Sequence, residues 1–288
     1  MPELPEVETV VRGLQVALPG KRIEAVRFNK TDFVHDPKRI AERLPGLRVS
    51  SVRRHGKFIV FELEDGATDA AVLLVHLGMT GQLVIVPASA PIAPHTHMFF
   101  PLDDGRELRY TDIRRFGRVR LLAEDTNGSL LGKLGLDALD TTEKEFAAQL
   151  RGRQARIKAL LLDQRVLRGL GNIYTDESLW RARIHPARLA TTLKKNELHD
   201  LYRAVQQVLK EAIRLKGSSV SDYVDSEGNR GEFQIRHRVY QRKGEKCFRC
   251  GTLIQRIAVA GRSSHFCPHC QRAPRTVRRG PVSRRRRK

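Results

Sequence analysis

The chain has 288 residues, 40% hydrophobic and 30% charged, with four cysteines, enough for two ordinary domains and a small appendage. No run approaches the ~18 apolar residues of a membrane span, and the opening residues lack an apolar stretch between a basic start and a cleavage site. Membrane and secreted classes are therefore set aside, and a cytoplasmic protein is expected. Nine of its +21 net charges lie in the last 18 residues, "QRAPRTVRRGPVSRRRRK", and the rest of the chain still carries +12. The expected partner is a polyanion, with nucleic acid ahead of an acidic membrane because no amphipathic basic helix stands out.

In chain order, "MPELPEVETV" opens the first element. Pro5, Glu6 and Glu8 suit a first helical turn, apolar residues recur at Val7, Val10, Val11 and Leu14, and Pro19-Gly20 stops the pattern, so a helix over about residues 5–18 is predicted. Pro2 and Glu3 are left in front of it. Residues 22–123 hold short alternating or apolar runs ("RIEAVRF", "LRVSSVRRHGKFIVFEL", "AAVLLVHL", "GQLVIV", "HMFFPL", "RELRYTD"), with a hairpin turn at Asp104-Gly105. These predict a β domain with the first helix packed on it. Helical periodicity follows over about 143–151, 153–163, 172–182 and 195–215. "GSSVSDYVDSEGNRGEF" reads as a flexible loop before a last module, and the arginine-rich end reads as a disordered electrostatic tail.

Five motifs carry chemistry. Cys247, Cys250, Cys267 and Cys270 are spaced C-x2-C-x16-C-x2-C, which suits one structural Zn²⁺ with four thiolates and no open position. Between the pairs, a hairpin turning near Gly261 would present Arg262 and two hydroxyls to phosphate. In "GLGNIYTDESLW", Asn172 is either a plain helix cap or part of a helix start that Gly169 and Gly171 open to a DNA backbone, with Lys158 on the same surface. In "TDIRRFG", Phe116 beside Arg114 and Arg115 has the composition of a wedge for a base stack, and equally that of a core aromatic between solvated arginines. Met79 in "HLGMTG" and Lys57 in "RRHGKFIV" are ambiguous alone.

Taken together, "PELPEVETV", "GKFIVFEL", "HLGMTGQL", "LRYTDIRRFG", "LLDQRVLRGLGNIYTDESLW", "GEFQIRHRVYQRKGEKC" and "GRSSHFCPHCQ" resemble the bacterial formamidopyrimidine-DNA glycosylases over nearly the whole chain to Arg272. The resemblance implies an α+β multidomain protein: an N-terminal catalytic β-sandwich with a helix (1–130), a helical helix-two-turns-helix domain (131–235), a zinc finger (236–272) and the basic tail (273–288). It implies a monomer acting on double-stranded DNA with oxidised bases, associated with the nucleoid through that DNA, excising 8-oxoguanine and formamidopyrimidines and cutting the abasic site by β,δ-elimination. Oxidised-pyrimidine relatives usually begin Pro-Glu-Gly, so Leu4 favours the purine branch. By this likeness Pro2 is the nucleophilic amine once Met1 is removed, Glu3 the acid, and Lys57 a phosphate grip assisting catalysis. Met79, Arg114 and Phe116 fill the duplex; Lys158, Asn172 and Arg262 hold phosphates around the flipped nucleotide. His55, Ile113 and Gln241 stand where the family often has arginine, proline and glycine, and the tail lies outside the pattern.

Chemistry at a base within a duplex requires extrusion of the nucleotide, hence a wedge, a backbone clamp and a pocket, and the chain has candidates for each. Two alternatives stay open at this stage: an oxidised-pyrimidine glycosylase of the same superfamily, and a non-catalytic damaged-DNA-binding protein.

Overall fold

The structure is a computed structural model that describes residues 1–66, 71–122 and 131–274. The tail from 275 onward lies outside the described residues. Helix α1 (Leu4–Ala17) starts one residue earlier than its pattern predicts, because Pro5 sits within the first turn and the Glu6 side chain accepts a hydrogen bond from the Glu3 amide at 2.8 Å. Its stripe of Val7, Val10, Val11 and Leu14 is fully buried.

That stripe packs into a β-sandwich. One sheet orders β2 (Val34–His35), β9 (Arg118–Leu122), β5 (Ala71–His76), β4 (Phe58–Glu64) and β3 (Arg48–His55). The other orders β1 (Arg27–Phe28), β7 (Thr96–Pro101), β8 (Arg106–Asp112) and β6 (Gly81–Pro87). Ile59, Phe61, Leu73 and Val75 of the first face Leu83, Met98, Phe100 and Leu108 of the second, in one core shared with α1. The Asp104-Gly105 turn joins β7 to β8 as expected, with Gly105 at φ +79°. A second helix, α2 (Pro37–Arg43), capped by Asp36 on the Arg39 amide at 3.1 Å, has no amphipathic stripe beyond Ile40 and shows no periodicity in the sequence.

The helical part comprises α3 (Glu143–Leu150), α4 (Ile157–Leu162), α5 (Asn172–Arg181) and α6 (Lys195–Arg214). Helix α4 is shorter than its pattern: Gly152 sits at φ +72°, and Arg156 is extended and bridged to Leu189, so the chain enters the helix only at Ile157. A two-residue parallel pairing of β10 (Leu136–Asp137) with β11 (Leu167–Arg168) closes this part. Its core includes Leu4, from the first turn of α1, along with Phe146, Leu161, Tyr174, Leu201 and Leu209. One helix therefore anchors in two cores, and burying Leu4 alone contributes about 2 kcal/mol to holding them together.

The finger is a hairpin of β12 (Gln255–Val259) and β13 (Arg262–Phe266), turning at Ala260-Gly261 with φ of +50° and +72°. It shares a small core with Trp180 of α5. The segment read as a flexible loop is pinned in this structure: the Ser218 amide donates to Glu6 at 2.7 Å, the Ile85 amide to the Ser226 carbonyl at 2.9 Å, and Asp225 accepts from the Glu227 and Asn229 amides. Among the described residues, no helix is long and apolar enough to cross a membrane.

Candidate active site and DNA interface

The N-terminus is sewn into the start of α5. The Leu4 amide donates to the Gly169 carbonyl at 3.0 Å, and the Glu3 carboxylate accepts from the amides of Ile173 at 2.9 Å and Tyr174 at 3.3 Å. The free N–H groups of a helix start and its positive dipole end favour an anion there. That anion is the protein's own glutamate. The glycines have the same explanation: a Cβ on Gly171 would fall 2.3 Å from Glu3 Cδ, and one on Gly169 would fall 2.5 Å from Leu4 Cδ1. The expectation that these glycines open the α5 N-terminus to a DNA phosphate is thus corrected, since Glu3 and Leu4 take that space and its amides. Asn172 is not the cap either; it is the first helical residue after Gly171, with its side-chain Nδ2 3.5 Å from the Ser263 hydroxyl on the finger.

Behind Glu3 lies Glu6, wholly buried. It accepts from the Tyr174 hydroxyl, the Ser218 amide and the Glu3 amide. Burial, then the nearby Glu3 charge, push its pKa up to about 7 against those hydrogen bonds. Pro2 is buried at the same place and Met1 is exposed. Lys57, at the β3–β4 turn after Gly56, is also buried, where burial lowers its pKa, Glu3 and Glu6 raise it, and Arg262 of the finger lowers it. Glu3, Lys57 and Arg262, from helix, sandwich and finger, are therefore electrostatic neighbours.

His76, at the end of β5, was not singled out from the sequence. Burial and the charges of Lys57 and Arg118 bring its pKa down to about 4, so it is a neutral imidazole whose Nδ1 accepts from the Gly78 amide at 3.1 Å. Its position beside "LGMTG" was the only signal, and a lone histidine at a strand end says little.

The wedge candidates are at the surface. Phe116 is 50% exposed and Met79 38%, and the Arg114 guanidinium stacks 4.5 Å from the centre of the Phe116 ring. Arg115 between them is left-handed, φ +53°, which turns the chain sharply after β8. The reading of Phe116 as a core aromatic is set aside by that exposure.

Lys158 requires a correction. It has no exposed surface; its Nζ pairs with Asp176 Oδ1 at 2.7 Å and donates to the Ser263 carbonyl at 2.6 Å. Asp176 also accepts from the His265 amide at 2.9 Å. Lys158 here is the tie between α4, α5 and the finger hairpin rather than a surface phosphate contact; removing one partner of such a buried pair costs about 3–5 kcal/mol. Arg262 is exposed beyond the turn as expected, but of the two hydroxyls Ser264 is fully buried. Gln241, where the resemblance expects glycine, does adopt a left-handed φ of +59°.

The four cysteine sulfurs lie within 4.8 Å of one another, with Cys250 3.4 Å from Cys267 and 3.5 Å from Cys270. Tetrahedral Zn–S bonds of about 2.3 Å need edges of roughly 3.8 Å, so the donor set fits one zinc with no ligand position left over. The ion is structural and holds the hairpin that carries Arg262.

The sandwich, the helical domain and the zinc finger thus converge near the chain's own N-terminus. Three family descriptions match in order: the formamidopyrimidine-DNA glycosylase N-terminal domain over residues 1–119, its helix-two-turns-helix domain over 134–224, and the zinc finger found in these proteins and isoleucyl-tRNA synthetase over 244–273. The formamidopyrimidine-DNA glycosylase of Solibacter usitatus is 46% identical, over 94% of this chain and 100% of its own. The Lactococcus lactis protein bound to DNA with an abasic site superposes with a TM-score of 0.86 at 36% identity, over 94% of this chain and 100% of that one. A MutM protein in complex with DNA containing carbocyclic 8-oxo-G gives 0.85 at 37%, with the same coverage. The chain belongs to the formamidopyrimidine-DNA glycosylase family.

Proposed function

We propose that the chain excises oxidised purines from duplex DNA and cleaves the abasic site through its N-terminal amine. The observation that carries this reading is the seating of residues 2–6 at the meeting point of sandwich, helical domain and finger, with Glu3 clamped on α5 and Lys57 buried alongside. With Met1 removed, Pro2 presents a secondary amine whose reference pKa of about 7.7–8.0 leaves a useful neutral fraction near neutral pH. It attacks the sugar carbon as the base leaves, giving an iminium ion that permits elimination of the two flanking phosphates. Glu3, adjacent in the chain and fixed by two amides, supplies the proton to the opening sugar or departing base. Lys57 and Arg262 grip phosphate, the Asn172 side chain beside Ser263 of the finger assists them, and Met79, Arg114 and Phe116 occupy the duplex left by the extruded nucleotide.

The purine reading is tested by borohydride trapping on duplexes with 8-oxoguanine or an oxidised pyrimidine; faster trapping on the purine lesion is expected, and a pyrimidine preference would overturn it. Opposite the extruded purine, cytosine offers two acceptors to the Arg114 fork, whereas adenine offers an acceptor and a donor. Excision opposite cytosine is therefore expected to be faster than opposite adenine, and Arg114→Ala to erase the difference.

The tail adds to the DNA-binding surface, keeping the protein with the nucleoid. Residues 273–288 hold eight basic and no acidic side chains. Deleting them is expected to lower nonspecific affinity and flatten its log–log salt dependence by about 0.9 for each phosphate the tail neutralises, while saturated single-turnover excision survives. A large drop in single turnover would place the tail in the active site instead.

A further inference from the structure

The wedge residues sit on two separate connections, 77–80 between β5 and β6 and 113–117 between β8 and β9. Beneath both lies Asp112, with no exposed surface. Its Oδ1 accepts from the Thr80 hydroxyl at 2.5 Å and the Arg114 amide at 3.3 Å. Its Oδ2 accepts from the Gly117 amide at 2.9 Å and the Tyr110 hydroxyl at 3.0 Å. The Thr80 hydroxyl oxygen also accepts from the Arg114 amide at 3.0 Å. The two backbones touch directly: a Cβ on Gly78 would fall 2.4 Å from the Phe116 carbonyl carbon and the Gly117 nitrogen, and one on Gly117 would fall 1.7 Å from the Tyr110 hydroxyl. Tyr110 itself is fixed by stacking on Phe33, ring centres 5.0 Å apart.

A buried carboxylate is costly unless its oxygens are filled with donors, so the donors it gathers are held to it. Here they come from both wedge loops and from the strand below. We propose that Asp112 is the positioning residue of the wedge: it fuses the Met79 turn and the Arg114–Phe116 loop into one insert, and so sets the aim of Arg114 at the opposite base. This rests on the reading of Met79, Arg114 and Phe116 given above. Asp112 does not touch DNA in this scheme; it acts through Thr80 and through the amides of Arg114 and Gly117.

In Asp112→Asn, the side-chain NH₂ must face either the Thr80 and Arg114 side or the Gly117 and Tyr110 side; the hydroxyl there can turn to accept from it, but the backbone N–H of Arg114 or Gly117 loses its carboxylate acceptor, so one wedge loop is loosened. Thr80→Val removes only the hydroxyl bridge and leaves the carboxylate its other three donors. Displacing a recognition group by about 1 Å costs up to about 100-fold. The test is single-turnover excision of 8-oxoguanine opposite cytosine and opposite adenine by the full-length, zinc-loaded protein, with cleavage of a preformed abasic site in parallel. Asp112→Asn is expected to cut the cytosine-to-adenine rate ratio by about tenfold or more, toward that of Arg114→Ala, and Thr80→Val to act in the same direction more weakly, both with abasic-site cleavage retained. If Asp112→Asn does not fold, the Thr80→Val ratio decides. A wild-type ratio in these variants, with Arg114→Ala collapsed, overturns the role of Asp112 alone; an unchanged ratio in Arg114→Ala overturns the wedge reading and this inference with it. An equal loss of excision and abasic-site cleavage shows a general structural role and also overturns it.

Discussion

Glu3→Gln is expected to lose base excision on intact lesions by at least about 100-fold while still cleaving a preformed abasic site, because positioned general acid–base catalysis contributes about 10²–10⁴ and the amine at Pro2 is untouched. The substitution is nearly isosteric, and the amide oxygen can still accept from one of the two α5 amides that now hold the carboxylate. The amide NH₂, however, then faces the other N–H, so some stability goes as well, roughly the 1.5–3 kcal/mol of one charge-assisted hydrogen bond. Thermal melting separates the two effects. Parallel rate measurements on 8-oxoguanine and abasic duplexes check the chemistry, and an equal loss on both substrates would mean that Glu3 serves the amine or the fold rather than the departing base.

Removing zinc is expected to abolish specific DNA binding and leave the sandwich folded. The finger's core consists of Cys247, Cys267, Val239 and Ile254 against Trp180, too little to hold a hairpin without the ion. Structural zinc in such modules supplies about 10–16 kcal/mol of folding free energy. Its loss would release Arg262 and strip the Ser263 carbonyl from Lys158 and the His265 amide from Asp176, leaving that buried ion pair open on one side. The sandwich core is composed of other residues, so chelation should remove one melting transition and retain another. Metal content measured alongside DNA affinity checks this; zinc-free protein with full affinity would contradict it.

Periodicity made the long helices α1 and α6 legible, since each buries a clear stripe, and the cysteine spacing carried the metal site. The short strands β2 and β9 and helix α2 were not, because two to seven residues hold too little pattern to stand out. The clamp on Glu3 is invisible in the sequence for another reason: its partners lie 170 residues downstream, and a helix-start glycine that admits a carboxylate reads the same as one that admits a phosphate. Lys158 went astray similarly, its burial depending on Asp176 and on a carbonyl 105 residues away. Asp112 looks like any strand-end aspartate until Thr80, Arg114 and Gly117 are seen converging on it.

The most direct test of the mechanism is borohydride reduction of the full-length enzyme on an 8-oxoguanine duplex, followed by peptide mass mapping of the adduct. The attacking amine is expected at Pro2, with Met1 absent from the modified peptide. Pro2→Gly, which keeps a primary amine, should retain part of the trapping. An adduct on Lys57 with Pro2 unmodified would contradict the account and leave the opening residues as helix-start chemistry alone.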